Sequence, residues 1–326
     1  MAMLEALNTS KAPARWQDFL QLLKPRVMSL VVFTALTGLV CADRNIHPVL
    51  GAVAILCIAV GAGASGALNM WWDADIDAKM RRTRGRPVPA GKVQGSDAAA
   101  LGVVLSLFSV MLMGMAVNWV AAGLLAFTIL FYAVVYTMWL KRWTAQNIVI
   151  GGLAGALPPV IGWAAADGAA PLNAWLLCAI IFVWTPSHFW ALSLYTSEDY
   201  ARAGVPMMPV VRGAASTRRQ VWIYSVLLIP FCIAPAFTGL GSVAYLAVAG
   251  LGGAVYLLLA WRLFRSKAGE TPDPRNAPEA NGGLYDVRAG ARDARNLFAF
   301  SILYLALLFA TLLGEHLAGL KPLELL

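Results

Sequence analysis

Nine apolar runs, each long enough to cross roughly 30 Å of hydrocarbon, commit this chain to a bundle of membrane-spanning helices. They fall near residues 27–43, 48–72, 98–116, 118–139, 146–166, 172–195, 221–240, 243–264 and 296–317. Backbone in lipid must satisfy its own hydrogen bonds, and runs of this length do so as helices. The expected fold class is therefore all-α and polytopic. A soluble domain is excluded, since 60% of the 326 residues are hydrophobic and only 13% charged.

Basic residues orient the bundle. Of the 25 Lys and Arg residues, all but Arg44 and Lys321 fall on one side of a nine-span chain. The positive-inside rule makes that side cytoplasmic, with the N-terminus inside and the C-terminus outside. The cytoplasmic parts are then a tail over 1–25 and loops over 73–97, 196–220 and 265–295. The net charge of +8 is topogenic, and no DNA or RNA recognition motif accompanies it, so no nucleic-acid partner is expected. Cys41, Cys57, Cys178 and Cys232 lie in apolar runs without metal-ligand spacing and read as core residues. About 25 amphipathic residues precede the first span, which reads as retained and not as a cleaved signal.

The chemistry-bearing stretch closes the second span. Asn69-Met-Trp-Trp-Asp73-Ala-Asp75-Ile-Asp77 is followed by Lys79, Arg81, Arg82, Arg84 and Arg86. If the helix continues, Asn69, Asp73 and Asp77 share one face at i, i+4 and i+8, and Asp75 points roughly opposite. Like charges at that spacing repel, and a divalent cation turns the repulsion into coordination. Mg²⁺ suits the pattern because it takes one or two carboxylates and fills its remaining positions with water and phosphate oxygens. The arginines supply bidentate donors for a diphosphate, with Arg82 and Arg86 as candidates. A cap and turn acids beside a topogenic loop would explain a single Asp, but not Asn, two Asp and five cations within 18 residues.

Three further cytoplasmic segments contribute. Tyr136-Thr137-Met-Trp-Leu-Lys141-Arg142 leads into Asn147 and a Gly-rich run ending in Pro158-Pro159. Lys141 and Arg142 either anchor the span at the interface or bind diphosphate, and Pro158-Pro159 should kink the next helix. Trp184-Thr-Pro186-Ser187-His188-Phe189-Trp190, with another expected kink at Pro186, precedes a second acidic loop carrying Glu198, Asp199 and Arg202. A His among aromatics is often only a hydrogen-bonded structural residue, yet a polar ring at this depth needs a partner. Two acid-bearing loops four helices apart suggest two halves facing one cavity. The segment 265–295, with Asp286, Arg288, Arg292, Asp293 and Arg295, reads as a solvated linker.

Asn69-xxx-Asp73-xxx-Asp77 with its trailing Arg82-Thr-Arg84-Gly-Arg86-Pro87 resembles the first aspartate motif of the UbiA superfamily of intramembrane prenyltransferases. Leu23-Lys24-Pro25-Arg26-Val27-Met28, the Tyr136–Arg142 segment, Asn147-Ile-Val-Ile-Gly151-Gly152, the Trp184–Trp190 segment and Asp199-Tyr-Ala-Arg-Ala-Gly204-Val-Pro206-Met207 are similar to the protoheme IX farnesyltransferase (haem O synthase) family within it. The likeness runs from about residue 19 to beyond 312. Two positions depart from it: Ser187 stands where the family usually has a second proline, and the second acidic loop lacks a DxxxD pair.

The resemblance implies a single prenyltransferase domain over 1–326, with nine helices around a central cavity in the bacterial inner membrane. It implies farnesyl transfer from farnesyl diphosphate to a vinyl group of haem B, with hydroxyl addition from water. Mg²⁺ would be the cofactor on Asn69, Asp73 and Asp77. Arg82, Arg86, Lys141, Arg142 and Arg26 would bind diphosphate, and His188, Trp184 and Trp190 are candidates for haem contact. Besides the lipid bilayer, the implied partners include a haem A synthase or terminal-oxidase assembly factors. Three other functions fit parts of the pattern: prenylation of a quinone precursor or chlorin, a transporter or channel, and a non-catalytic haem-binding assembly protein. The acids cluster at one membrane face beside a basic run and do not line a midplane path, which speaks against transport.

Overall fold

The computed structural model describes residues 14–42, 44, 46–270, 291–320 and 322–323. All regular elements among them are helical. In chain order they are α1 Trp16–Leu22, α2 Pro25–Val40, α3 Pro48–Trp72, α4 Ala74–Lys79, α5 Gly95–Ala116 and α6 Trp119–Leu130. α6 continues as a π-helical segment, Phe131–Leu140, into the short α7 Lys141–Trp143. Then follow α8 Asn147–Ala156, α9 Pro158–Asp167, α10 Leu172–Tyr195, α11 Ser197–Arg202, α12 Met208–Ile233, α13 Val243–Arg265 and α14 Arg292–Leu317.

Among the described residues eight stretches are long and apolar enough to cross a membrane, and α1 with α2, bent by 50° at their junction, supply a ninth if the pair is one span. The chain is an integral membrane protein. Starts are set by local chemistry: Pro48 and Pro158 occupy first-turn positions that need no N–H donor, and Asn118 accepts the Ala121 N–H at 2.8 Å to cap α6. Consecutive long helices pack side by side, and α14 closes the ring against α2. α2 and α9 cross in close backbone contact, where a Cβ on Gly38 would stand 2.0 Å from the Pro159 carbonyl oxygen and one on Gly162 2.0 Å from that of Ala35. With no hydrophobic drive between helices in lipid, such small-residue crossings let dispersion hold the bundle.

Pro158 does divide the fifth span at Leu157, but α10 runs unbroken through Pro186, and the Thr185 and Ser187 hydroxyls bond the Ile181 and Trp184 carbonyls around it. Ser187 also shares a 2.7 Å hydrogen bond with Tyr256, giving the non-proline residue its own anchor. The segment 196–220 is largely helical, comprising α11 and the polar first part of α12, which turns at Gly213 (φ 77°). Its Ser, Thr, Arg and Gln residues are as compatible with a helix outside lipid as with a loop. Of the 265–295 segment, residues 271–290, including Asp286 and Arg288, lie outside the described residues.

Candidate functional site

α3 ends at Trp72, yet its path carries on into α4 because the Asp73 N–H reaches the Asn69 carbonyl (2.9 Å) and the Asp77 N–H that of Asp73 (2.8 Å). Asn69, Asp73 and Asp77 therefore share one inward face, at 4%, 0% and 2% exposure. Asn69 Nδ2 donates to Asp73 Oδ2 at 2.7 Å. Asp75 turns outward as expected and takes a two-pronged hydrogen bond from Arg142 at 2.7 and 2.9 Å. That guanidinium holds the Asp75 carboxyl below its ordinary range.

Cations arrive from three directions. Lys141 donates to Asp73 Oδ2, and Arg86 to Asp77 Oδ2 at 2.7 Å. The third is Lys24, whose Nζ donates to Asn69 Oδ1 at 2.5 Å. Lys24 occupies the bend between α1 and α2 in a left-handed conformation (φ 51°, ψ 57°). The following Pro25 disfavours the right-handed helical region, and a non-glycine residue pays for this geometry elsewhere in the fold. Its stem lies along α3 at Gly66, where a Cβ would sit 3.5 Å from Lys24 Cδ. Arg26, the expected ligand from this segment, is exposed on the first turn of α2. The signal for Lys24 was present in its position directly before Pro25.

The π-helical segment explains how Lys141 reaches Asp73. At about 4.4 residues per turn, Tyr132, Tyr136 and Lys141 fall on one face, whereas nine α-helical steps would leave Lys141 roughly 180° from Tyr132. Tyr132 and Tyr136 pack with their ring planes tilted by 38° and centroids 5.4 Å apart, and Thr137 accepts from Asn69 Nδ2 at 3.2 Å.

The second acidic loop meets the first. Asp199 is buried and receives Arg81 Nε at 3.3 Å and Arg202 Nη1 at 3.2 Å. Ile76 and Met80 pack with Ile148, Tyr200, Val205 and Met207 beneath this pairing. Glu198 is exposed on α11. Met80, Arg82, Leu192, Thr196, Asp199, Tyr200 and Phe298 line a cavity of about 80 Å³. That volume admits water and is smaller than a porphyrin.

Against Phe298 of the cavity lining, at 4.6 Å between centroids, packs His188, whose other ring neighbour is Trp184 (4.1 Å) and whose Nδ1 lies 2.6 Å from Ser301 Oγ. Trp190 is placed differently from expectation: it is fully buried edge-on to Tyr224 of α12, because two residues along a helix turn it to the far side of α10. Phe298 and Ser301 could not be read from the local motif, since α14 contributes them from more than a hundred residues away.

Asp73 Oδ1 is buried without a hydrogen bond, and Arg142 Nη2 stands 3.8 Å from it. With Asp77 and the Asn69 amide oxygen, which accept from Arg86 and Lys24, this carboxylate oxygen makes up a hard-oxygen set of the kind Mg²⁺ takes. Among the described residues no three His, Cys, Asp or Glu side chains converge on a metal position. A cation here must draw its remaining ligands from water or phosphate, as Mg²⁺ does.

The signature of the UbiA prenyltransferase family matches residues 31–277. The chain belongs to the UbiA prenyltransferase family. It is an integral membrane prenyltransferase, and within the family its relatives carry the name protoheme IX farnesyltransferase. One from Caulobacter vibrioides is 72% identical over 325 residues, covering 98% of this chain and 97% of the relative. Another from Maricaulis maris is 58% identical over 315 residues, covering 97% and 93%. Solved structures share the UbiA fold at low identity. A digeranylgeranylglyceryl phosphate synthase superposes with a TM-score of 0.72 at 13% identity, covering 93% of this chain and 99% of that one. A UbiA homologue from Archaeoglobus fulgidus bound to GPP and Mg²⁺ gives 0.65 at 15%, covering 90% and 99%.

Proposed function

We propose that the protein transfers the farnesyl group of farnesyl diphosphate to a vinyl group of haem B, giving haem O and diphosphate. The observation that carries the reading is the buried Asn69-Asp73-Asp77 face ringed by Lys24, Lys141 and Arg86, in a chain 72% identical to a protein named protoheme IX farnesyltransferase. Two carboxylates against three cations leave a positive surplus that matches a diphosphate. Bound through Asn69, Asp73 and Asp77, Mg²⁺ would neutralise part of the charge on the leaving group. Lys141, Arg86 and Lys24 then turn to phosphoryl oxygens, and Arg82 closes from the rim, so that donors already in place meet the charge as the allylic C–O bond breaks. Arg142, with one prong kept on Asp75, supports this from outside.

The electron pair of that bond leaves with diphosphate. The vinyl π electrons form the new C–C bond, and the resulting cation, conjugated to the macrocycle, is captured by water, which loses a proton. Tyr132 and Tyr136 pack as a tilted pair on the site-facing side of the π-helical segment and would shield the allylic cation. His188 and Trp184 face the haem, while the basic rim takes its propionates. Asp199, already committed to Arg81 and Arg202, serves as a link between loops and not as a second metal ligand. The whole chain acts as one domain with its site on the cytoplasmic face of the bacterial inner membrane. Its N-terminus is cytoplasmic and its C-terminus outside, placing the product where a haem A synthase or oxidase assembly factor can take it up.

The test is incubation of detergent-purified protein with haem B, farnesyl diphosphate and Mg²⁺, followed by mass-resolved chromatography beside an Asp73→Ala control. Haem O from the wild type alone supports the assignment. Haem retained without product refutes it in favour of a binding protein.

A further inference from the structure

Ser301 on α14 holds two rings of α10 from behind. Its backbone carbonyl accepts the Trp184 indole N–H at 2.9 Å. Its hydroxyl oxygen lies 2.6 Å from His188 Nδ1 and 2.6 Å from the carbonyl oxygen of Phe298, one turn back on the same helix. A serine hydroxyl has one proton, and a carbonyl can only accept. Both contacts are satisfied when Ser301 donates to Phe298 and His188 Nδ1–H donates to Ser301. The imidazole is thereby fixed with its proton on Nδ1 and its free lone pair on Nε2. Among the described residues His188 makes no hydrogen bond through Nε2.

The aromatic column limits what that lone pair can meet. Trp184 covers one face of the imidazole at 17° between planes and Phe298 covers the other at 21°. No planar ligand can stack on the ring, so approach is confined to its edge, where the Nε2 lone pair lies in plane. The cavity that Arg82 lines is also lined by Phe298 and by Leu192, one turn beyond His188 on α10.

We infer that Ser301 is a positioning residue that presents His188 Nε2 as an axial ligand to the iron of a metalloporphyrin. The inference rests on the haem reading proposed above and deepens it. The hydrogen bond at one imidazole nitrogen selects the tautomer and aims the other. A neutral hydroxyl acceptor, unlike a carboxylate, adds little basicity to the ligand. A modest axial bond suits a porphyrin that arrives as substrate and must leave as product.

The test loads wild type, His188→Ala, Ser301→Ala and Ser301→Thr with ferric haem B and compares their absorption and electron paramagnetic resonance spectra. ¹⁵N NMR of the histidine-labelled apoprotein reports the tautomer. The expected wild type is histidine-ligated and protonated at Nδ1. Ser301→Ala weakens haem binding about 10- to 100-fold, moves the spectrum toward that of His188→Ala and mixes the tautomers, while Ser301→Thr restores all three. An unchanged spectrum in Ser301→Ala, or axial ligation surviving in His188→Ala, overturns this inference and leaves farnesyl transfer standing. A wild type that makes no haem O and binds no haem overturns the functional reading, and this inference with it. If Ser301→Ala does not fold, wild-type protonation at Nε2 is by itself the overturning result.

Discussion

Lys24 and Asn69, 45 residues apart in the chain, are joined by a 2.5 Å hydrogen bond that pins the bend before α2 to the end of α3. The Asn69 amide is thereby polarised on both sides, accepting from Lys24 and donating to Asp73 and Thr137. A cation held there by a strained backbone serves a charged ligand better than it serves stability, because a buried ion must offset its own desolvation.

Lys24→Ala should therefore lower kcat/KM for farnesyl diphosphate about 100-fold or more, the usual cost of removing one donor to a developing anion. Arg26→Ala, on an exposed side chain of the next turn, should stay within about threefold of wild type, since exposed charges contribute about 1 kcal/mol or less. Steady-state kinetics on the two variants decide which cation of the segment belongs to the site.

The Arg142–Asp75 pair should behave as a surface contact. Asp75→Asn is expected to change stability by less than about 1 kcal/mol. The Asp75 carboxyl is depressed in the folded protein, so its contribution is present above the unfolded value of about 4 and fades as pH falls through the lower folded value. The difference in thermal midpoint between Asp75→Asn and wild type should accordingly stay constant between about pH 5 and pH 8.

Asp199 tests the number of metal positions. Because Arg81 and Arg202 already occupy it, Asp199→Asn should leave the Mg²⁺ concentration for half-maximal activity unchanged. Asp73→Asn should raise it at least about tenfold. A matching rise in both variants, measured by Mg²⁺ titration, would make Asp199 a ligand.

At the crossing of α2 and α9 there is no room for a side chain. Gly162→Val should destabilise the protein by about 2–3 kcal/mol, in the range of overpacked cores, and lower its thermal midpoint in detergent, where Gly123→Ala, with nothing within 4 Å of its Cβ, should not.

The spans could be read from hydropathy because lipid demands long apolar helices, and the Asn69-Asp73-Asp77 face from four-residue spacing. Other features depend on information no local window carries. Lys24 displaces Arg26 because Pro25 redirects the backbone. Trp190 faces α12 because two helical steps carry it past the cavity. Phe298 and Ser301 join the site only through the packing of α14 on α10. The continuation of α12 through polar residues was hidden because hydropathy marks where lipid ends, not where a helix does. The Asp199–Arg81 link depends on two loops meeting, although both were recognisable as acid-bearing and basic.

The π-helical winding of Phe131–Leu140 also makes chain length a determinant of reactivity. Deleting one residue there, Val134 for example, would leave the span apolar and long enough, yet rotate everything after it by about 80–100° relative to α3. Lys141 would sweep off Asp73 while the protein still inserted and folded. In this stretch, amino-acid identity is more forgiving than residue count, and a lineage that shed the extra residue would have to recruit its cation from another helix.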